Sequence, residues 1–504
     1  MYDAVVIGAG HNGLACAALL AKSGLSVAVF EQSEKIGGAA VTELLWNGYS
    51  VSAAAYVCGL LDPWLIAELQ LDRHGYSAYR KDPATFTVLE GGRSLLLGSD
   101  EAENEREIAA FNRTDVEGYR EADRVIRRLG AELFETFSDE DPQFERFSPR
   151  TQALLRGSAA EIVERYVDTP VLQAAIATDG IIGTYLGPRD PGTGYVLAHH
   201  HAGRALGSQG AWGYVRGGMG AISTALASAA IEAGAEIFTA VSVQKIATSG
   251  GSARGVVLAD GRTIAARAVV SNAHPRTTFL TLVGDQEFQP AFIAKVRTWK
   301  TTGCALKLNL ALGELPNFVC RPGTLVRPHH RASIHVAPSL GYLQTAFEDA
   351  MQMGVSKEPM LECFLQTSAE PALAPKGKHM LSVFAQYYSY DRVTAWSSTE
   401  KRAAVDGIIK QLAQFAPNIP GAVEAMQVLS PVDLENRFGM IGGHIFHGEL
   451  VPEQIYEHRF ATRTPLQNLY LCGSGAHPGG CVSGFPGKRA AISVLRAARA
   501  ASLA

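Results

Sequence analysis

Three glycines in the run Gly8-Ala9-Gly10-His11-Asn12-Gly13 follow a short β-branched stretch, Tyr2 to Ile7, and precede a helical pattern through Leu14, Ala17, Ala18 and Ala21. Glycines at these spacings let a strand turn sharply into a helix, let a pyrophosphate approach the backbone, and let the helix pack on the strand. The helix amino end offers N–H groups and a partial positive charge to the phosphates, worth about 0.3–1 kcal/mol per favourable contact. A second strand, Ser26 to Phe30, ends in Glu31. That carboxylate is placed to accept the ribose hydroxyls of an adenosine half and to repel a 2′-phosphate. The chemistry is dinucleotide binding, with NAD and FAD both open. Ile36-Gly37-Gly38-Ala39-Ala40 follows the second strand directly, and a second glycine pair beside the pyrophosphate favours FAD.

A second cradle lies near the other end. Asn468 to Cys472 reads as a buried strand, followed by Gly473-Ser474-Gly475-Ala476-His477-Pro478-Gly479-Gly480-Cys481-Val482-Ser483-Gly484 and a helix from Arg489 to Ala500. Each glycine costs roughly 0.5–1 kcal/mol where regular structure would otherwise form, so a ligand is expected close to this backbone. A flavin ring resting on the helix amino end would have its N1/O2 edge near N–H dipoles. His477, inside this cradle, and His444 and His447, in Gly442-Gly443-His444-Ile445-Phe446-His447, are the candidates for proton transfer, since imidazole titrates near neutrality. His199, His200 and His201 are expected to alternate across a strand without metal-ligand spacing, so no metal is expected. Arg437 is expected to pair at the surface.

These groups need a frame. From Ser99 to about Arg165 the period is helical, as in an inserted lobe. Gly217-Gly218-Met219-Gly220 opens a helix over Ile222 to Ala233. Runs at Glu236 to Ala247, Arg254 to Leu258 and Thr263 to Ser271, with an Asp260-Gly261 hairpin turn, fit the third layer of a dinucleotide domain. Thr302 to Leu312, Met360 to Gln366 and His379 to Tyr388 alternate like half-buried antiparallel strands, and Ser397-Ser398-Thr399-Glu400 is a capping box opening a helix to Phe415. The expected class is α/β: a Rossmann-like FAD-binding domain in three pieces, 1–98, 206–290 and 431–504, a helical lobe at 99–205, and a sheet-plus-helix substrate domain at 291–430.

At 504 residues, 47% hydrophobic and 19% charged, the chain exceeds one hydrophobic core and is ordinary in composition. A net charge of -4 without a dense Lys/Arg block excludes nucleic acid as a partner, because counterion release has no source. The seven cysteines (Cys16, Cys58, Cys304, Cys320, Cys363, Cys472 and Cys481) show no CxxC spacing. They read as reduced thiols of a cytoplasmic protein rather than a zinc site or redox pair. No apolar run nears the ~18 residues that span a bilayer; peripheral membrane attachment and homo-oligomerisation stay open.

The opening YDAVVIGAGHNGLACAALL with IGGAAVTE, the middle QGAWGYVRGGMGAIS and the closing LYLCGSGAHPGGCVSG resemble the phytoene dehydrogenase-like branch of the FAD-dependent amine oxidase and desaturase superfamily, over essentially the whole chain. The resemblance implies that Gly8, Gly10, Gly13, Glu31, Gly37 and Gly38 hold the ADP half, with Val243 contacting adenine through its backbone. It also implies that Gly473, Pro478, Gly479, Gly480 and Val482 line the isoalloxazine. Two positions depart from the pattern. Ala39 and Ala40 stand where many members carry Arg, and Ser474 and Gly475 where many carry an acid. The implied activity is two-electron oxidation or desaturation of a mostly apolar organic substrate by hydride transfer to flavin N5, with oxygen or a quinone as electron acceptor. A redox-neutral isomerase, an amine oxidase and a non-catalytic FAD-holding interaction protein are the alternatives.

Overall fold

A computed structural model describes residues 1–391 and 396–503. Tyr2–Ile7 (β1), His11–Lys22 (α1) and Val27–Phe30 (β2) succeed one another through the glycine turn. Both strands are mostly buried, as suits the middle of a parallel sheet. β1 pairs in parallel with β2 and with Thr263–Ser271; Glu236–Phe238 continues the sheet beyond β2, and Leu469–Leu471 pairs with the end of Thr263–Ser271. Thr263–Ser271 serves two arrangements. Its first residues pair antiparallel with Ser252–Leu258, which leads to Val243–Ser249, and its last residues run parallel beside β1.

The expected single strand Glu236 to Ala247 is two strands, because Ala240 adopts φ 55 and turns the chain between them. The last helix, expected from Arg489, spans Phe485–Leu503. It packs on α1 together with Gly220–Glu232. Small residues (Ala15, Ala18, Ala225, Ala229, Ala490 and Ala491) fill this core and let the helix axes approach closely.

The second sheet has the order Val423–Leu429, Ala305–Leu312, His379–Tyr388, Val355–Phe364, Ser333–Val336, Thr85–Val88, Ser94–Leu97. Its pairs are antiparallel except Ser333–Val336 with Thr85–Val88. Residues 85–97, assigned from sequence to the piece 1–98 of the dinucleotide domain, thus pair into the second sheet. The expectation of half-buried strands is corrected as well: every residue of Ala305–Leu312 is buried. Leu306, Leu308 and Leu310 pack against Val405, Ile408 and Leu412 of the helix Ser398–Phe415, whose Ser397 capping box forms. The opposite face, with Lys307 and Asn309, is covered by the rest of the molecule: Ala305 lies in a buried cluster with Ile181 and Leu343, and Ala311 in one with Tyr49 and Val51.

Residues 101–200 form the helical lobe around Leu129, Leu133, Phe137 and Tyr195. His199 and His200 end the helix Thr193–His200 rather than lying in a strand, so successive imidazoles are turned by about 100°. Among the described residues no cluster suits a metal ion and no helix is long and apolar enough to cross a membrane.

Candidate active site

A cavity of about 530 Å3 runs from the turn between β1 and α1 to the second sheet. Gly8, Gly10, His11, Asn12, Glu31, Gly37, Gly38, Ala39 and Val243 line its first end. The turn is as tight as the sequence requires: a Cβ on Gly13 would lie 2.2 Å from the Gly8 carbonyl oxygen, so Gly13 shapes the cradle from behind without lining it. No side chain caps α1, leaving its first N–H groups available to an anion. Glu31 is 8% exposed; one oxygen accepts from Ala9 N at 2.8 Å and the other from Ser33 N at 2.9 Å. Gly37 N donates to Ala9 O at 2.8 Å, which joins the second glycine pair to the first.

The other chain end meets this one at Asn272. Asn272 N donates to Ile7 O at 2.9 Å, and its side chain packs against Gly8, Gly10 and Gly13. Cys472 N donates to Ser271 O at 2.9 Å, and Asn12 Nδ2 donates to Ser474 Oγ at 3.4 Å. Of the predicted isoalloxazine-lining residues, Val482 faces the cavity alongside Ser474 and Cys481, while Gly473, Pro478, Gly479 and Gly480 lie behind the wall. Gly480 is there for contact: a Cβ would meet the Phe446 ring at 2.2 Å.

Arg459, which nothing in the local sequence singles out, holds this wall. It is 2% exposed and donates to Phe446 O and Ser474 O at 2.7 Å, and to Ala476, Glu449 and Gln454 carbonyls at 3.3 Å. Burial lowers it to about 10, so it stays charged at neutral pH. Arg437 lines the cavity near Ala39 and is ion-paired with Glu43, another lining residue; the expected surface pair is a cavity-wall pair.

The histidines divide. His477 has its backbone in the glycine-rich loop, but its side chain turns into the helical lobe, where Nε2 bonds Thr136 O at 3.1 Å and burial holds its pKa well below the usual range. His444 Nδ1 accepts from Phe446 N at 3.2 Å, so Nε2 carries the proton, 3.2 Å from Glu449. Neither lines the cavity. His447 does, with its ring 5.4 Å from that of His274, and burial lowers it to about 3. His11 is lowered by burial to about 4. Both imidazoles are therefore neutral near pH 7.

The far end of the cavity is roofed by alternate residues of the second sheet, among them Lys307, His335, Glu362, Phe364 and Phe384. The signal existed in the sequence: polar residues at every second position of an apolar strand, as in LKLNLAL, suggested solvent but face a cleft.

Residues 13–304 match the family described as flavin containing amine oxidoreductase. The chain belongs to that family. Flavin containing amine oxidoreductases carry FAD, and the residues here fit it: two glycine cradles joined at Asn272, an uncapped helix amino end, and Glu31 facing the cavity. Individual proteins match nearly the whole chain. Pyridine nucleotide-disulfide oxidoreductase domain-containing protein 2 of Mus musculus is 39% identical over 98% of this chain and 93% of its own length. A lycopene-forming phytoene desaturase of a Paracoccus species is 25% identical over 97% and 96%. The fold matches that of a putrescine oxidase variant with TM-score 0.63 at 17% identity, covering 98% and 99%. All seven cysteines are free thiols. Cys472 does meet Cys16 in space, through a hydrogen bond in the buried core, and burial pushes its thiol well up. Neither lines the cavity.

Proposed function

We propose that this oxidoreductase removes two electrons from an organic substrate with a mostly apolar body, oxidising or desaturating it. FAD, when bound, would supply the two-electron acceptor, with oxygen or a quinone as the final acceptor. The observation that carries this reading is continuity: the dinucleotide cradle and a chamber walled by Tyr56, Ile182, Phe364, Phe384 and Met440 are one cavity. The apolar walls exclude water from the reacting C–H bond. Glu31, Asn12 and the α1 amino end would hold the ADP half, and Val482 and Ser474 would face the ring system. His447, neutral and low in pKa, is a weak base at neutral pH, so it serves as a hydrogen-bonding partner in the wall. His444, which accepts from Phe446 N, is a positioning residue for the loop bearing it, and His477 ties the glycine-rich loop to Thr136 of the helical lobe.

The test is anaerobic mixing of the yellow holoenzyme with panels of apolar alcohols, polyenes and amines. Bleaching by alcohols or polyenes supports the reading; flavin that none of them reduces sinks it. Amine oxidation is the second reading, supported by the description of the family, and bleaching confined to amines would select it. An isomerase would convert substrate without accumulating reduced flavin.

A further inference from the structure

The dinucleotide cradle is rich in N–H groups and poor in positive charge. Glu31 and Glu43 both line the cavity there. A dianionic diphosphate entering beside two carboxylates meets only the partial charge of one helix end, about half an elementary charge, so a full cation is wanted close by. Most cations along the cavity are committed elsewhere or exposed. Lys81 and Lys307 donate to Ser333 and Ser382 of the second sheet, Arg127 is paired with Asp123 in the helical lobe, and Lys35 and Arg80 are exposed.

Arg437 differs. It stands in the last turn of the helix Pro431–Phe438, and that helix packs beside the glycines. Leu434 and Phe438 share an apolar cluster with Ala39, Ala39 follows Gly38, and a Cβ on Gly38 would lie 3.6 Å from the Gly10 Cα. Gly10, Gly38, Ala39 and Arg437 all line the one cavity, so the helix brings a guanidinium to the wall beside the meeting point of the two glycine runs. Ala39, one of the two alanines that stand where many superfamily members carry Arg, puts no charge there itself.

The pairing of Arg437 leaves it free to act. Among the described residues its polar partner is Glu43, which engages through one carboxylate oxygen, while Glu43 Oε2 is buried without a partner. A guanidinium has five N–H donors, so most of its fork is unused. The Glu43 side chain is 12% exposed and that of Arg437 33%: the acid is set in the wall and the cation reaches outward from it. The Phe438 ring centre, 5.0 Å from Arg437 Cζ, restrains the guanidinium further.

We propose that Arg437, held in place by Glu43, is the cation that binds the diphosphate of FAD. The planar fork suits two phosphate oxygens at once, and Glu43 is its positioning residue. Arg437 would do this whichever substrate is oxidised.

The test is titration of the apoprotein with FAD, followed by flavin fluorescence, with ADP and adenosine as competitors that share the adenosine half and differ in the diphosphate. Wild type is expected to prefer ADP. In Arg437→Gln, FAD affinity is expected to fall ~10–100-fold and the ADP-to-adenosine preference at least ~10-fold, about 1.4 kcal/mol, with adenosine binding unmoved. Arg437→Lys is expected to keep part of both, because it retains the charge without the fork. Ala39→Arg added to Arg437→Gln is expected to recover much of the lost FAD affinity by returning a guanidinium to the same wall. An unchanged ADP preference, an equal loss for ADP and adenosine, or no recovery with Ala39→Arg overturns the proposal. Arg437→Gln strips Glu43 of its partner, so if that variant does not fold, Glu43→Gln with Arg437→Gln, which removes both charges together, decides by the same ratio. Wild type that takes up no FAD would overturn the proposal together with the flavin site itself.

Discussion

Glu31 shows how much one side chain carries at the residue scale. Its two oxygens tie Ala9 N to Ser33 N, so the carboxylate sets the turn and faces the cofactor cleft together. Glu31→Gln replaces an anionic acceptor by a weaker one at both bonds. FAD affinity is expected to fall ~10–100-fold, about 1.4–2.7 kcal/mol, as measured by flavin fluorescence on titrating the apoprotein. Gly13→Ala fails differently: its Cβ would meet backbone, the Gly8 carbonyl. The expected cost is about 1–3 kcal/mol of stability, read from urea denaturation, with flavin retention lost alongside. Lys307 makes the pH prediction. Its folded pKa, about 7, lies below that of a free lysine, so between that pH and about 10.4 the unfolded chain binds the additional proton and stability rises with pH. Glu362 and Cys363, two strands away in the same sheet, act on it, and Tyr56 lies against it, so the slope belongs to this cluster. Without ligand, wild type should gain on Lys307→Met by up to about 1.4 kcal/mol per pH unit above pH 7. Parallel stability curves for the two proteins from pH 6 to 9 would contradict it.

At the scale of elements, the cleft depends on loops that the sheets alone do not position. Residues 444–449 and 474–476 lie outside the named strands and helices, and the Arg459 guanidinium ties them together through four of their backbone carbonyls and that of Gln454. Lys keeps the charge but cannot reproduce the planar fork. Arg459→Lys is expected to cost about 3 kcal/mol or more, through buried carbonyls left without donors, and to raise the flavin dissociation rate in stopped-flow displacement. This residue also marks the boundary of what sequence discloses. The strand, glycine turn, helix and Glu31 were legible because their contacts fall within one strand–turn–helix–strand unit and each residue type has a local reason. Asn272, Arg459, Lys81 and Lys307 were not, because their partners lie far along the chain or on another sheet, and a lysine in a strand looks like a solvent-facing residue until the covering element is known. The same cause misplaced 85–97: a two-stranded hairpin near the first domain in sequence finds its pairing partner, Ser333–Val336, only in the fold. It also misread His477, whose backbone setting was right and whose side-chain direction is chosen by the helical lobe.

Over the whole molecule, the cavity is lined by residues from segments 7–12 and 30–43, by 272–274 and by Ser474, Cys481 and Val482, with Val243 beside them, and its far wall comes from the second sheet. No continuous stretch of chain contains a usable part of it. FAD binds the assembled state and not the unfolded chain, so it should raise stability by RT ln(1 + [FAD]/Kd), about 2.7 kcal/mol at a hundredfold excess over Kd. Because the same cavity touches the first sheet, the second sheet and the helical lobe, that stabilisation should reach all three. The expected calorimetric result is a single transition that moves upward as a whole with FAD concentration, with the apoprotein lowest. If the second sheet unfolded separately at a temperature indifferent to FAD, the two sheets would be independent units and the far wall would not share in cofactor binding. A single shifting transition would mean instead that the far wall of the cavity is built only when the chain ends have closed around the flavin, which couples the second sheet to the folding of the first.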